Sequence, residues 1–148
     1  MFIGIPGSGK SSFYKANFFT KYMRISLDLF NTRNKEEQFL EAAFKVHQRM
    51  VIDNTNITRN ERARYIHQAR ENRYKVIGYF FESKLALCLD RNECRSGEDK
   101  IEKVGVIAKF KALELPRYSE GFDKLYFVAI ENEKFIVKDW INEIRNSG

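Results

Sequence analysis

A chain of 148 residues, 43% of them hydrophobic and 31% charged, holds one soluble domain with a real core and leaves no room for a second. The net charge of +6 permits an anionic partner such as nucleic acid without requiring one. No apolar run approaches the roughly 20 residues of a membrane span, and Met1 enters an apolar stretch almost at once, which predicts no signal peptide. Cys88 and Cys94 are too few for a disulfide framework and their spacing suits neither a C-x-x-C redox motif nor a zinc pair. Two reduced thiols and a cytoplasmic setting are expected.

The apolar residues Phe2, Ile3 and Ile5 predict a first strand over 1–5. It runs into GIPGSGKSS, residues 4–12, in which Gly4, Gly9, Lys10 and Ser11 satisfy the P-loop pattern of a glycine, four residues, then Gly-Lys-Ser. Gly7 and Gly9 allow backbone angles closed to other residues, so successive N–H groups turn inward on a phosphate. Lys10 is placed to reach β- and γ-phosphate oxygens, and the Ser11 hydroxyl is a Mg²⁺ ligand candidate. Pro6, Ser8 and Ser12 complete the expected nucleotide-binding loop. The helix after it, over 10–19, carries Phe13, Ala16 and Phe19 at core spacing and offers its positive N-terminal end to the anion.

A second strand is expected over 22–26, and Asp28 lies just past its end, the edge where open α/β sheets place their chemistry. A carboxylate there can take the proton of an attacking hydroxyl, or simply cap a helix. Asn34 and Glu37 resemble a capping box opening a helix to about residue 49, with Phe39, Ala42, Ala43, Val46 and Met50 as its core stripe. His47 and His67 lack partners at metal-ligand spacing and read as structural or surface residues. The third strand, 50–53, ends in Asp53, a candidate support for Mg²⁺ or else a loop aspartate.

Thr58 and Glu61 form a second capping-box pattern for a helix to about residue 72. Arg59 and Arg62 stand in its first turn against the helix dipole, which points to phosphate contacts or to solvated surface charge. A fourth strand follows over 75–81, then a helix from Lys84 capped by Ser83. It leads into RNECRSGEDK, residues 91–100, where Arg91 and Arg95 share a helix face and Gly97 is a hinge candidate. The segment reads as a lid whose arginine closes on transferring phosphates, or as a solvated charge run. A helix over 104–113, a strand over 124–130, a short strand over 135–137 and a closing helix with Trp140, Ile141 and Ile144 complete the chain. This alternation predicts an α/β domain of three layers around a mainly parallel sheet of about five strands.

VIDNTNITRNERARYIHQAR, residues 51–70, resembles the DNTN…RARY segment of the polynucleotide 5′-hydroxyl kinase family, the P-loop kinases of phage and animal nucleic-acid repair. The basic lid RNECR and PRYSEGFD, residues 116–123, are similar to that family's lid and EGF element, and the likeness runs from Gly4 to about Phe127. The resemblance implies a P-loop kinase fold with a helical lid, and a transfer of the γ-phosphate of ATP, with Mg²⁺, onto the 5′-hydroxyl of a DNA or RNA strand. Carried over by position, Lys10 and Ser11 bind phosphates and metal, Asp28 is the general base and Asp53 supports metal or acceptor. Arg91 or Arg95 clamps the transferring phosphoryl. Arg33, Asn54, Arg59 and Arg62 are the acceptor-binding candidates.

Two positions depart from the family. Members carry an arginine beside the catalytic aspartate, and the phage type another three residues after it; here these are Leu27 and Asn31, with Arg33 slightly farther on. A small hydroxyl compound, such as a nucleoside, sugar acid or antibiotic, is therefore the alternative acceptor. A non-catalytic nucleotide-binding module is the third reading, although no guanine-reading NKxD motif is present.

Overall fold

Period-two alternation along the strands decides which helices cover which face in the computed structural model, which describes residues 1–97 and 100–141. β1 (Phe2–Ile3), β4 (Ile77–Phe81) and β5 (Lys124–Glu131) run parallel, and β6 (Lys134–Asp139) closes the sheet antiparallel, in the order β1-β4-β5-β6. β2 (Met23–Ile25) and β3 (Met50–Ile52) form a separate parallel pair with Arg24 opposite Val51. The pair joins β1 beyond the strand ends: Gly4 N–H donates to the Thr55 carbonyl at 3.0 Å, and the Asn56 amide donates to the Phe2 carbonyl at 2.7 Å. The expected sheet of about five strands is thus, among the described residues, six strands in two hydrogen-bonded parts, parallel except at β6.

Phe2, Phe81 and Val128 face α1 (Lys10–Asn17) through Phe13 and Tyr14. One residue out of phase, Ile3, Phe80 and Leu125 face the opposite layer, where they meet Ile66 of α4 (Arg59–Glu71). α2 (Leu27–Phe30) and α3 (Arg33–Lys45) pack with Tyr65 of α4 over Ile25 and Ile52. α5 (Leu85–Glu93) and α6 (Lys103–Ala112) bury Cys88 and Val106 against Ile5 and Ile57, which seats this helical pair beside the P-loop. Three layers result, as the alternation of elements predicts.

Several local expectations are corrected. α1 stops at Asn17, so Phe18 turns back onto the Phe2 ring while Phe19 is left exposed, as is Ala16. α3 begins earlier than the Asn34–Glu37 pattern implies, because Thr32 caps it through a bond from Lys35 N–H to its hydroxyl at 3.2 Å. Its buried face is Glu36, Leu40, Ala43 and Phe44. Phe39 is half-exposed and stacks on Phe30, Val46 is exposed past the helix end, and His47 lies outside the helix at a φ of 56°. At α4 the Thr58 hydroxyl does accept from Glu61 N–H, but Glu61 reaches back to the N–H of Ile57, one residue before the cap. Ser83 does not cap α5: its hydroxyl donates to the Phe81 carbonyl and accepts from Ile5 N–H, tying the P-loop entrance to β4. Trp140 is buried directly after β6 rather than on a helix; Ile144 of the expected closing helix lies outside the described residues. No helix of the described residues is long and apolar enough to cross a membrane.

Candidate active site

The P-loop turns sharply at Gly7 (φ +85°) and Gly9 (φ +98°), in the region that side chains disfavour. Space forbids a side chain at Gly7 as well, since a Cβ there would lie 2.3 Å from the Cys88 carbonyl oxygen on α5. Lys10 opens α1 and curls back over the loop. Its Nζ donates to the carbonyls of Gly4 and Ile5, both at 3.0 Å, and to the Ser8 hydroxyl at 3.4 Å. Burial pushes the Lys10 ammonium down to about 8, with Asp53 opposing the shift and Arg95 adding to it. An anionic phosphate beside it would oppose that shift and favour the charged form.

Beside Lys10, Ser11 Oγ donates to Asp53 Oδ2 at 3.5 Å from the end of β3. Arg24, projecting from β2, engages both oxygens: its Nε is 2.8 Å from Asp53 Oδ2 and its Nη2 is 3.3 Å from Ser11 Oγ. A hydroxyl and a carboxylate converging from two elements are hard oxygen donors of the kind Mg²⁺ takes. Among the described residues no group of three or more His, Cys, Asp or Glu could cage a metal. Ser11 and Asp53 suit Mg²⁺, with Arg24 holding the same two oxygens when only protein groups are there.

Asp28 lines the same cleft of about 220 Å³, together with Lys10, Ser11, Arg33, Asp53 and Arg95. It is not the helix cap. Ser26 caps α2, accepting from Asp28 N–H at 3.3 Å, and the Asp28 side chain is exposed. Of the two lid arginines, Arg95 lines the cleft and acts on Lys10, whereas Arg91 donates to the Gly7 carbonyl at 3.3 Å from outside it. Pro6 also lines the cleft, and Ser12 is exposed on the first turn of α1.

The expected acceptor set separates. Arg33 reaches the cleft, half-exposed, and donates to Tyr65 Oη at 2.9 Å. Arg62 is wholly buried: it pairs with Glu120 at 2.8 and 3.2 Å and donates to the carbonyls of Asn56, Ile57 and Glu114. With no solvent exposure and a carboxylate partner inside the protein, it is not placed to meet a substrate phosphate, so the phosphate-contact expectation is corrected. Its unusual place in a first helical turn has a different cause, a carboxylate brought from the EGF element. Arg59 lies on the surface 3.5 Å from Glu114, outside the residues that line the cleft. Asn54 also lines the cleft, and both ends of its amide are engaged within the protein.

A family model for the AAA domain matches residues 1–114. The chain belongs to the AAA-domain family. The chain is 33% identical over 144 residues to a protein of Acanthamoeba polyphaga mimivirus named "Putative bifunctional polynucleotide phosphatase/kinase". It is 28% identical over 142 residues to the bifunctional polynucleotide phosphatase/kinase of Schizosaccharomyces pombe. Each alignment covers 93% of the chain, which spans about a third of the length of these curated relatives (34% and 35%). Among solved structures, Chaetomium thermophilum Kti12 in complex with ADP-AlF3 superposes with a TM-score of 0.60 at 16% identity, covering 90% of this chain and 89% of that one. That likeness shows the α/β P-loop fold. The names of the curated relatives agree with the resemblance carried by the DNTN and EGF blocks.

Three residues at or behind the cleft have little or no signal in the sequence: Lys109 lines it, while Arg24 and Glu36 bond to Asp53 and Asn54, which do. Arg24 is legible only as a charge inside an otherwise apolar strand, and Lys109, whose Nζ donates to Thr55 Oγ1 at 3.5 Å, has no local signal on α6. Glu36 hides beneath the capping pattern assigned to its neighbours, although it is fully buried.

Proposed function

We propose that this AAA domain transfers the γ-phosphoryl group of ATP to a hydroxyl, and that the acceptor is the 5′-hydroxyl of a nucleic-acid strand. The observation that carries the reading is a single cleft lined by Asp28 together with Lys10 and Ser11. The P-loop amides and Lys10 hold the donor's β- and γ-phosphates on one side. From the other side the Asp28 carboxylate takes the proton as the acceptor oxygen bonds to the γ-phosphorus and the bond to the ADP oxygen breaks. Ser11 and Asp53 would hold Mg²⁺, which when bound offsets charge on the β- and γ-phosphate oxygens. Arg95, at the cleft wall, adds positive charge where the transition state spreads negative charge.

The names of the two relatives favour a polynucleotide acceptor, and Arg33 supplies a cation on the Asp28 side for the strand's first phosphate. A second reading, a small hydroxyl acceptor, is favoured by Leu27 and Asn31 standing where the polynucleotide kinases carry arginines. Labelled ATP and Mg²⁺ offered with 5′-hydroxyl oligonucleotides, mononucleotides and a panel of small alcohols separates the two. Transfer confined to small alcohols defeats the polynucleotide assignment. A nucleotide-binding module without transfer would leave every acceptor unlabelled.

A further inference from the structure

Glu36 is a carboxylate with no solvent exposure, a placement that is costly unless hydrogen-bond donors surround it. They do. The Tyr65 hydroxyl donates to Oε1, Asn54 Nδ2 donates to Oε2 at 2.9 Å, and Arg33 and Arg64 approach Oε1 to 3.4 and 3.6 Å. With its proton committed to Glu36, the Tyr65 oxygen accepts from Asn54 Nδ2 at 3.1 Å and from Arg33 at 2.9 Å. Burial and the Glu36 carboxylate push the Tyr65 phenol up to about 12, so it remains a donor. The Asn54 amide thereby has only one orientation: its nitrogen faces two acceptors, and its oxygen faces the other way.

That oxygen accepts from Leu27 N–H at 2.8 Å. Leu27 N–H is one of the orphan donors at the start of α2, a helix of four residues with little cohesion of its own. The next residue is Asp28. Asn54 in turn follows Asp53 directly at the end of β3. A single side chain therefore ties the element bearing the acceptor-side carboxylate to the strand bearing the metal-side one.

We infer that Asn54, anchored by Glu36, is a positioning residue that sets the place of Asp28 relative to the donor phosphates. The inference rests on the reading of Asp28 as the base that takes the acceptor's proton. If the α2 start drifts, Asp28 moves with it, and a misplacement of about 1 Å typically costs about 10²-fold in rate. The donor side, built by the P-loop and Lys10, has no contact with the Asn54 amide in the bonds described above.

The test is a double-mutant cycle on the full chain, read by single-turnover transfer from labelled ATP to a saturating 5′-hydroxyl oligonucleotide, with thermal melts and ATP titrations in parallel. Asn54→Ala is expected to slow transfer by about 10–10²-fold while ATP affinity stays within about 3-fold of the parent. Asp28→Asn is expected to slow it by about 10²–10⁴-fold. The double variant is expected to be no more than about 3-fold slower than Asp28→Asn, because no base remains to be positioned. Slowing that multiplies across the two changes, or parental transfer by Asn54→Ala, overturns the inference while leaving Asp28 as base. Parental transfer by Asp28→Asn defeats the base assignment itself, and the inference with it. Should Asn54→Ala fail to fold, Glu36→Gln replaces it in the same cycle: the side chain keeps its shape but turns an amide toward the Asn54 nitrogen, and the same coupling to Asp28 decides.

Discussion

Removing the Glu120 carboxylate tests whether Arg62 is a structural or a substrate residue. In Glu120→Ala, Arg62 stays wholly buried and keeps three neutral carbonyl partners, but it loses two charge-assisted bonds at 2.8 and 3.2 Å. Each such bond is worth roughly 1.5–3 kcal/mol, and leaving one partner of a buried pair uncompensated costs roughly 3–5 kcal/mol. The lower half of that range is the better expectation, because the Glu120 side chain is 10% exposed and water can enter in its place. Against a typical total of about 5–15 kcal/mol the variant is severely weakened. The corresponding fall in melting temperature is roughly 6–16 °C for a domain of this size. Urea unfolding at 25 °C measures the stability change, and ATP and oligonucleotide titrations on the folded protein measure binding. Both affinities should stay within a few-fold of the parent. Exchanging both partners for apolar residues should cost less than removing either alone. A loss under about 1 kcal/mol would refute the reasoning. So would a selective loss of acceptor affinity at unchanged stability, which would return Arg62 to the substrate.

Three further outcomes follow from the cleft. Arg33→Ala should flatten the salt dependence of oligonucleotide binding by about 0.7 in log–log slope, one phosphate on a single strand, with ATP binding unchanged; an unchanged slope removes Arg33 from the acceptor side. Arg24→Gln should tighten nucleotide-free Mn²⁺ binding by about tenfold, roughly 1.4 kcal/mol, by releasing Asp53 and Ser11; electron paramagnetic resonance titration showing equal or weaker binding refutes the competition. Gly7→Ala should abolish ATP binding while most of the fold persists, because the new Cβ meets the Cys88 carbonyl at a φ of +85°; calorimetric titration with parental affinity would show that the loop reshapes freely.

Legibility in the sequence followed the range of the physics. The P-loop is a contiguous conformational demand, so its glycines, lysine and serine are readable in one stretch, and Asp53 follows because an apolar strand delivers it to the same edge. Helix faces were less legible. α3 presents Phe39, Ala42 and Val46 at plausible core spacing, yet the helix is rotated so that Glu36 points inward, which only its donors on other elements explain. Arg62 misleads for the same reason: an arginine in a first helical turn looks exposed until Glu120, 58 residues later, is brought beside it. The RARY and EGF blocks, far apart in the chain, meet in this one buried pair. Arg24 and Lys109 are single residues whose importance comes from tertiary placement, and no local pattern marks them.

The division of the cleft also gives a physical reason for one departure from the polynucleotide kinases. Asn31 closes α2 in the left-handed region, at a φ of 69°, with its N–H bonded to the Leu27 carbonyl at 2.7 Å. Asparagine tolerates that conformation better than a long side chain does, and a strained replacement costs on the order of 1 kcal/mol or more. An arginine at residue 31 would therefore work against the tight turn that ends α2, the element holding Asp28. Two residues on, Arg33 opens α3 in regular helical conformation, still lines the cleft, and is held by Tyr65 and Glu36. Under the proposed function, Arg33 would supply the acceptor-side cation from a position where the backbone can carry it. Its counter-charge is the buried carboxylate that also orients Asn54. Under the proposed function, acceptor contact and base placement would both depend on one anchor, Glu36, whereas the phosphate cradle would depend on Gly7, Gly9 and Lys10. Changes around α2 would then alter which hydroxyl is accepted without rebuilding the nucleotide side.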